Sequence, residues 1–220
     1  MISHLITNNV VWNNGWGFTS WGWGGGIVVS SSSGAEVATN VVAWNADGID
    51  VISQNRGDPG WSSVTDVYVH DNTIVLAPRA GDTSDMIALG WLQDWAGVMF
   101  NASSANRGAS NAYWIGSPEP ESARFAWNGP IDTLAAFNAT PGEEGGRYLT
   151  VAERDQVLGA AGIAGARVRE GEDLVRAAMR RGHPVDDRTS RCRPRVDGKR
   201  RPPHGQQSRQ RARFAQERRR

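Results

Sequence analysis

Thr7-Asn8-Asn9-Val10-Val11-Trp12-Asn13 returns as Thr39-Asn40-Val41-Val42-Ala43-Trp44-Asn45, with five of seven positions identical in an ungapped alignment. A weaker third copy, Asp71-Asn72-Thr73-Ile74-Val75, keeps the asparagine and the apolar pair. In this alignment Asn8, Asn40 and Asn72 recur every 32 residues. A fixed period of roughly 20–50 residues marks a solenoid, whose units bury their apolar faces mainly against one another.

The units read as strands. The stretches 37–42, 48–52, 64–69 and 86–89 are short, rich in β-branched residues and roughly alternating. Turn formers separate them at 45–48, 56–60 and 80–84. No amphipathic helix lies between them, which argues against βαβ units. Strands that turn tight corners at a regular period predict a parallel β-helix. Asparagine suits the corners, because it tolerates left-handed backbone and its amide bonds to main chain left unpaired there. The ungapped alignment also makes Trp12 and Trp44 equivalent, stacking in adjacent coils.

The run from Thr7 to Gly15, its partner from Thr39 to Val51, and Val67-Tyr68-Val69-His70-Asp71-Asn72-Thr73-Ile74-Val75 resemble coils of the right-handed parallel β-helix, pectate-lyase-like superfamily. The resemblance covers residues 4–116. It implies an all-β solenoid of few coils. Its members include polysaccharide lyases, glycoside hydrolases, epimerases, tailspikes and surface proteins without known activity, so fold does not carry function. Most such proteins are exported, so the parent protein is expected to be secreted or held at the cell surface. This chain opens almost directly on a repeat with no signal peptide, and is expected to be the C-terminal part of a longer protein.

Charge divides the chain. The formal net charge of +1 is the sum of −10 over residues 1–187 and +11 over residues 188–220. All ten tryptophans precede residue 128, and the single cysteine, Cys192, excludes an intramolecular disulfide. No run approaches the roughly 20 apolar residues that span a bilayer. Four parts are expected: coils over 1–116, an irregular covering segment over 117–149, a helical cap over 150–182, and a disordered Arg-rich tail over 183–220. In the cap, Thr150 and Glu153 form a capping box, Gly162 is the stop, and a second helix follows over 172–181. The tail carries Lys199-Arg200-Arg201 but only one aromatic, Phe214. It reads as a solvated extension, and nucleic acid is not the expected partner.

Three features carry candidate chemistry. Asn45-Ala46-Asp47-Gly48-Ile49-Asp50 resembles an element of polygalacturonase-type hydrolases, which implies that Asp47 is an acid/base carboxylate. The Gly-His-Gly and Arg-Ile-Lys elements of those enzymes are missing, and turn chemistry alone accounts for the motif. Asp66, His70 and Asp71, with Arg79, Asp82 and Asp85, form a second group. Asp66 and His70 lie four apart on a strand pattern and so share a face. Resemblance to the lyases implies that such acids hold Ca²⁺ against a uronate, with Arg79 or Arg56 on its carboxylate. The third feature is the glycine-spaced aromatic loop 15–26, where Trp16, Trp21 and Trp23, extended by Trp91 and Trp95, offer platforms for sugar rings or a cover for the strands. The leading expectation is a polysaccharide-interacting protein with Asp47, Asp66, His70 and Arg79 on one face and lyase or hydrolase chemistry as its catalytic form. The alternative is a non-catalytic structural or adhesive surface module.

Overall fold

A computed structural model describes residues 4–16, 22–76, 86–116 and 124–164. Strands come in threes. The first circuit is β1 (His4–Thr7), β2 (Val10–Trp12) and β3 (Gly25–Ser30); the second is β4 (Ala35–Ala38), β5 (Val41–Ala43) and β6 (Asp47–Ser53). The third is β7 (Tyr68–His70), β8 (Thr73–Val75) and β9 (Leu89–Asp94); the fourth is β10 (Arg107–Ala109), β11 (Ala112–Trp114) and β12 (Phe125–Trp127). β13 (Pro130–Ile131) and β14 (Arg147–Tyr148) follow. From β1 to β9 each strand pairs with the one three places on, and β11 pairs with β14. The result is three sheets, ordered β1-β4-β7-β10, β14-β11-β8-β5-β2 and β13-β12-β9-β6-β3. All pairings are parallel except β12 with β13.

Single residues in left-handed backbone make the corners. Asn8, Thr39, Asp71 and Ser110, with φ of 57°, 55°, 53° and 56°, turn the chain from the first sheet to the second. Asn13 and Trp44, at 59° and 55°, turn it from the second to the third. Such φ is uncommon for a threonine or a tryptophan and persists only where the surroundings hold it. Here an amide ladder supplies the hold. Asn9 N and Nδ2 donate to Asn40 Oδ1, Asn40 N and Nδ2 to Asn72 Oδ1, and Asn72 N and Nδ2 to Asn111 Oδ1, all at 2.9–3.0 Å. Asn111 ends on the carboxylate of Glu143. A shorter ladder runs from Asn14 to Asn45.

The ladder corrects the ungapped alignment. Asn9, not Asn8, is the partner of Asn40, and Val10 pairs with Val41. Asn8 is instead the corner residue equivalent to Thr39. The doubled asparagine hides a one-residue slip, and a slip in a strand would send every side chain to the other face. Trp12 therefore pairs with Ala43, and it meets Trp44 edge-on at 6.4 Å and 75° rather than stacked. The expected strand at 37–42 is two strands broken at Thr39, and the one at 64–69 begins only at Tyr68, after the corner at Asp66 (φ 55°).

Inward side chains fill the space between the sheets. Val37, Ile49 and Val51 of the second circuit and Val69, Ile74, Leu89 and Trp91 of the third are inaccessible to solvent. Each such burial contributes about 1.5–3 kcal/mol. Beyond the fourth circuit the chain closes over the core. α1 (Leu134–Phe137) contributes Phe137, stacked on Phe125 at 5.0 Å. Gly108 N donates to Pro141 O, Ser110 N to Glu144 O and Leu149 N to Tyr113 O. α2 (Val151–Ala160) starts on the Thr150–Glu153 capping box and places Leu158 against the core, with Ile163 just beyond Gly162 (φ 73°). The expected helix at 172–181 and the tail from 183 lie outside the described residues. No helix among the described residues is long and apolar enough to cross a membrane.

Candidate functional site

The outer face of the first sheet gathers chemistry from three circuits. Val37 and Val69 point into the core, so their neighbours Glu36, Tyr68 and His70 point out. The register sets Glu36 beside Tyr68 and Tyr68 beside Arg107. His70 Nδ1 lies 2.7 Å from an Asp71 carboxylate oxygen and Nε2 lies 3.1 Å from Glu36. The imidazole is the less exposed member of this set, and both carboxylates are half open to solvent. Carboxylate oxygens only accept, so each ring nitrogen completes its bond when it carries hydrogen. Tyr68 is stacked on the imidazole at 3.9 Å and 22°, and the Arg107 guanidinium lies 4.2 Å from the Tyr68 ring centre.

A groove of about 490 Å³ adjoins this row, lined by Tyr68, Arg107, Thr140, Pro141 and Glu144 among others. One of its walls rests on a close backbone approach. A Cβ on Gly108 would stand 2.1 Å from the carbonyl oxygen of Gly142, so only glycine lets the 138–144 segment settle on β10.

Of the four acid/base candidates, the structure places only His70 in this row. Asp66 is an exposed corner residue rather than a strand residue, so its four-residue spacing from His70 does not set a shared face. Arg79, Asp82 and Asp85 lie outside the described residues. Asp47 sits at the start of β6 in the third sheet and is buried. Its carboxylate accepts from Ile87 N at 2.8 Å and from Gly24 N at 3.0 Å, which ties a circuit to its neighbour. It is a corner clamp here, away from the His70 row. Among the described residues no three His, Cys, Asp or Glu side chains converge to hold a metal ion.

Asp50, two residues after Gly48, is fully buried with neither carboxylate oxygen hydrogen-bonded. It fills the space left by two glycines: a Cβ on Gly25 would stand 2.6 Å from one oxygen, and one on Gly90 3.3 Å from the other. Burial first, and the nearby charge of Asp47 second, push its carboxyl well above the usual range. The Gly25 amide opposes this without reaching hydrogen-bond geometry. The ladder-ending Glu143 is raised too, by burial, against the opposing bonds from Tyr113 and Asn111.

The described tryptophans divide between the two expected roles and the core. Trp91 is inaccessible, edge-on to Trp127 at 5.4 Å, and donates from Nε1 to Gly142 O; it is core, not platform. Trp16 is half-buried against the core and bonds Asn13, while Trp23 packs on Ile52, Ile87, Leu92 and Ala126 across the outer face of the third sheet. Both act as covers. Trp21 lies outside the described residues. The most open aromatics among the described residues are Trp61, 77% exposed, and Trp95, 56% exposed. Their turns are fastened to one hydroxyl: Ser53 Oγ donates to Ser62 O and accepts from Trp95 N.

Sequence reasoning missed Glu36, Tyr68, Arg107 and Glu144. The 32-residue offset from Glu36 to Tyr68 was available once the second and third circuits were aligned; the 39-residue offset to Arg107 was hidden by the longer connection between β8 and β9 than between β5 and β6. Comparison of the chain with protein-family models, curated proteins and solved structures found no match.

Proposed function

We propose that the chain is a right-handed parallel β-helix with a C-terminal cap and a basic tail, and that it binds polysaccharide along the outer face of its first sheet. The supporting observation is the row Glu36, Tyr68, His70 and Arg107, drawn from successive circuits and running into the groove beside β10. A row that repeats coil by coil suits a ligand that itself repeats. Its acceptors and donors match sugar hydroxyls, Arg107 suits a uronate carboxylate, and Trp61 and Trp95 offer apolar ring faces on loops that lead toward this sheet. The resemblance to exported β-helix proteins sets the expected location at the cell surface or beyond.

Binding without cleavage is the favoured form. Both nitrogens of His70 already face carboxylates, and Asp47 is buried in another sheet, so no described acid and base flank a shared open space. Titration of intrinsic tryptophan fluorescence with neutral and uronate oligosaccharides tests the reading. Arg107→Ala is expected to weaken uronate binding roughly tenfold, the loss of one charge-assisted pair. Release of unsaturated products, abolished by His70→Ala, would make the protein a lyase. No response to any glycan would leave the structural-module reading.

A further inference from the structure

Two Asn-x-Ser/Thr triplets lie in the chain, Asn101-Ala102-Ser103 and Asn138-Ala139-Thr140. The pattern is the acceptor signal for N-linked oligosaccharide, and on its own it is frequent by chance. The structure separates the two by what each amide and each hydroxyl is already doing.

Asn138 follows α1 and is half-buried. Its Nδ2 donates to Gly146 O at 2.9 Å, and its Oδ1 accepts from Gly146 N at 3.0 Å. Both bonds to one residue use the amide edge where the oxygen and one N–H stand side by side. A substituent on an amide nitrogen prefers the place trans to the chain carbon, which lies on that same edge. A sugar there would displace Gly146. The Thr140 hydroxyl is engaged as well, donating to Phe137 O at 2.8 Å and accepting from Gly142 N at 3.2 Å.

Asn101, Ala102 and Ser103 lie on the connection from β9 to β10, and all three are exposed. Asn101 opens a single 3₁₀ turn, Ala102–Ser104, which its side chain does not cap. Its Nδ2 contact, to Gly97 O, is long at 3.4 Å. The backbone beneath is held firmly. The Asp94 carboxylate accepts from Val98 N at 3.2 Å and Met99 N at 3.0 Å, and Met99 is inaccessible to solvent. Asn106 Nδ2 donates to Met99 O and to Val64 O, both at 2.8 Å. Asn101 N donates to Val98 O at 3.1 Å, and Ser104 N to Asn101 O at 2.9 Å. A fixed turn thus presents an open amide and an open hydroxyl two residues apart.

We infer that Asn101 is an acceptor site for N-linked oligosaccharide, filled from a lipid-linked oligosaccharyl pyrophosphate, and that the fold closes Asn138 to the same reaction. Asn101 Nδ2 forms a bond to C1 of the donor's first sugar. The bond from C1 to the pyrophosphate oxygen breaks, the lipid pyrophosphate leaves with the electron pair, and the amide gives up one proton. The inference rests on the exported location named above, and not on polysaccharide binding.

The test sets both triplets before one enzyme. The folded full chain, with short peptides carrying each triplet as controls, is incubated with an oligosaccharyltransferase and a lipid-linked oligosaccharide. Mass spectrometry reads the modified residue. Both peptides are expected to accept. In the folded chain Asn101 is expected to fill about tenfold faster than Asn138, which must first give up two hydrogen bonds, and Asn101→Gln is expected to remove the major product. Equal rates at the two sites, failure of either peptide to accept, or no transfer to the folded chain would overturn the inference. So would an exported native chain that is bare at Asn101. A native chain confined to the cytosol would overturn it together with the expected location.

Discussion

Asp50→Asn should flatten part of the dependence of stability on pH. Asp50 is buried without a hydrogen bond, and its carboxyl is raised well above the ordinary value. A raised folded-state pKa means that the folded chain keeps a proton that the unfolded chain gives up. The contribution to stability is therefore whole below the unfolded value, near 3.9, and is lost as pH rises toward the folded one. Within that window the loss is about 1.4 kcal/mol per pH unit. Asparagine has nearly the same volume and no titration there. Any cost of burying its amide is the same at every pH and moves the intercept, not the slope. Glu143 titrates in both proteins and cancels in the difference. Urea unfolding followed by tryptophan fluorescence at pH 5 and pH 6 should show Asp50→Asn gaining on the parent over that step, by at most about 1.4 kcal/mol. A difference that stays constant between the two pH values would refute a neutral, unpartnered carboxyl at this site.

Two contrasts test the roles assigned to other side chains. Asn72→Ala removes a rung that accepts from Asn40 and donates to Asn111 and Val37 O, and it leaves those groups buried; a loss of about 3–4 kcal/mol is expected by urea unfolding, against about 1 kcal/mol for Asn9→Ala at the open end. Trp91→Ala should cost about 3–5 kcal/mol of stability, whereas Trp61→Ala combined with Trp95→Ala should cost less than about 1 kcal/mol and instead weaken the fluorescence response to oligosaccharide.

The strand-rich, repeating construction was legible because the corner chemistry is local. An asparagine after a left-handed residue, followed by two apolar residues, needs no knowledge of the rest of the chain. The register was less legible. Asn8 and Asn9 are the same residue type with different jobs, one bending the backbone and the other carrying the ladder, and composition does not separate them. At the site, His70 was within reach because its strand alternates in the ordinary way. Trp91 was not. β6 and β9 are covered on both faces, one by the core and the other by Trp23 and its neighbours, so alternation no longer tells inside from outside. Asp47 was read as chemistry for the same reason that it makes a good clamp: a carboxylate at a corner can take a proton or two backbone amides, and only burial decides between them.

The ladder from Asn9 to Asn111 is also an electrical object. From Asn40 to Asn111 each side-chain oxygen accepts from the preceding circuit, while each Nδ2 donates both onward to the next rung and back to a carbonyl of the preceding circuit (Ile6, Val37 and Val69), so it is the onward bonds that give the column its direction. The positive end of that column falls on Glu143, which accepts from both Asn111 nitrogens and from the Tyr113 hydroxyl. The stack thus has a polarity along its axis, independent of any charged surface residue, with a carboxyl at its sink.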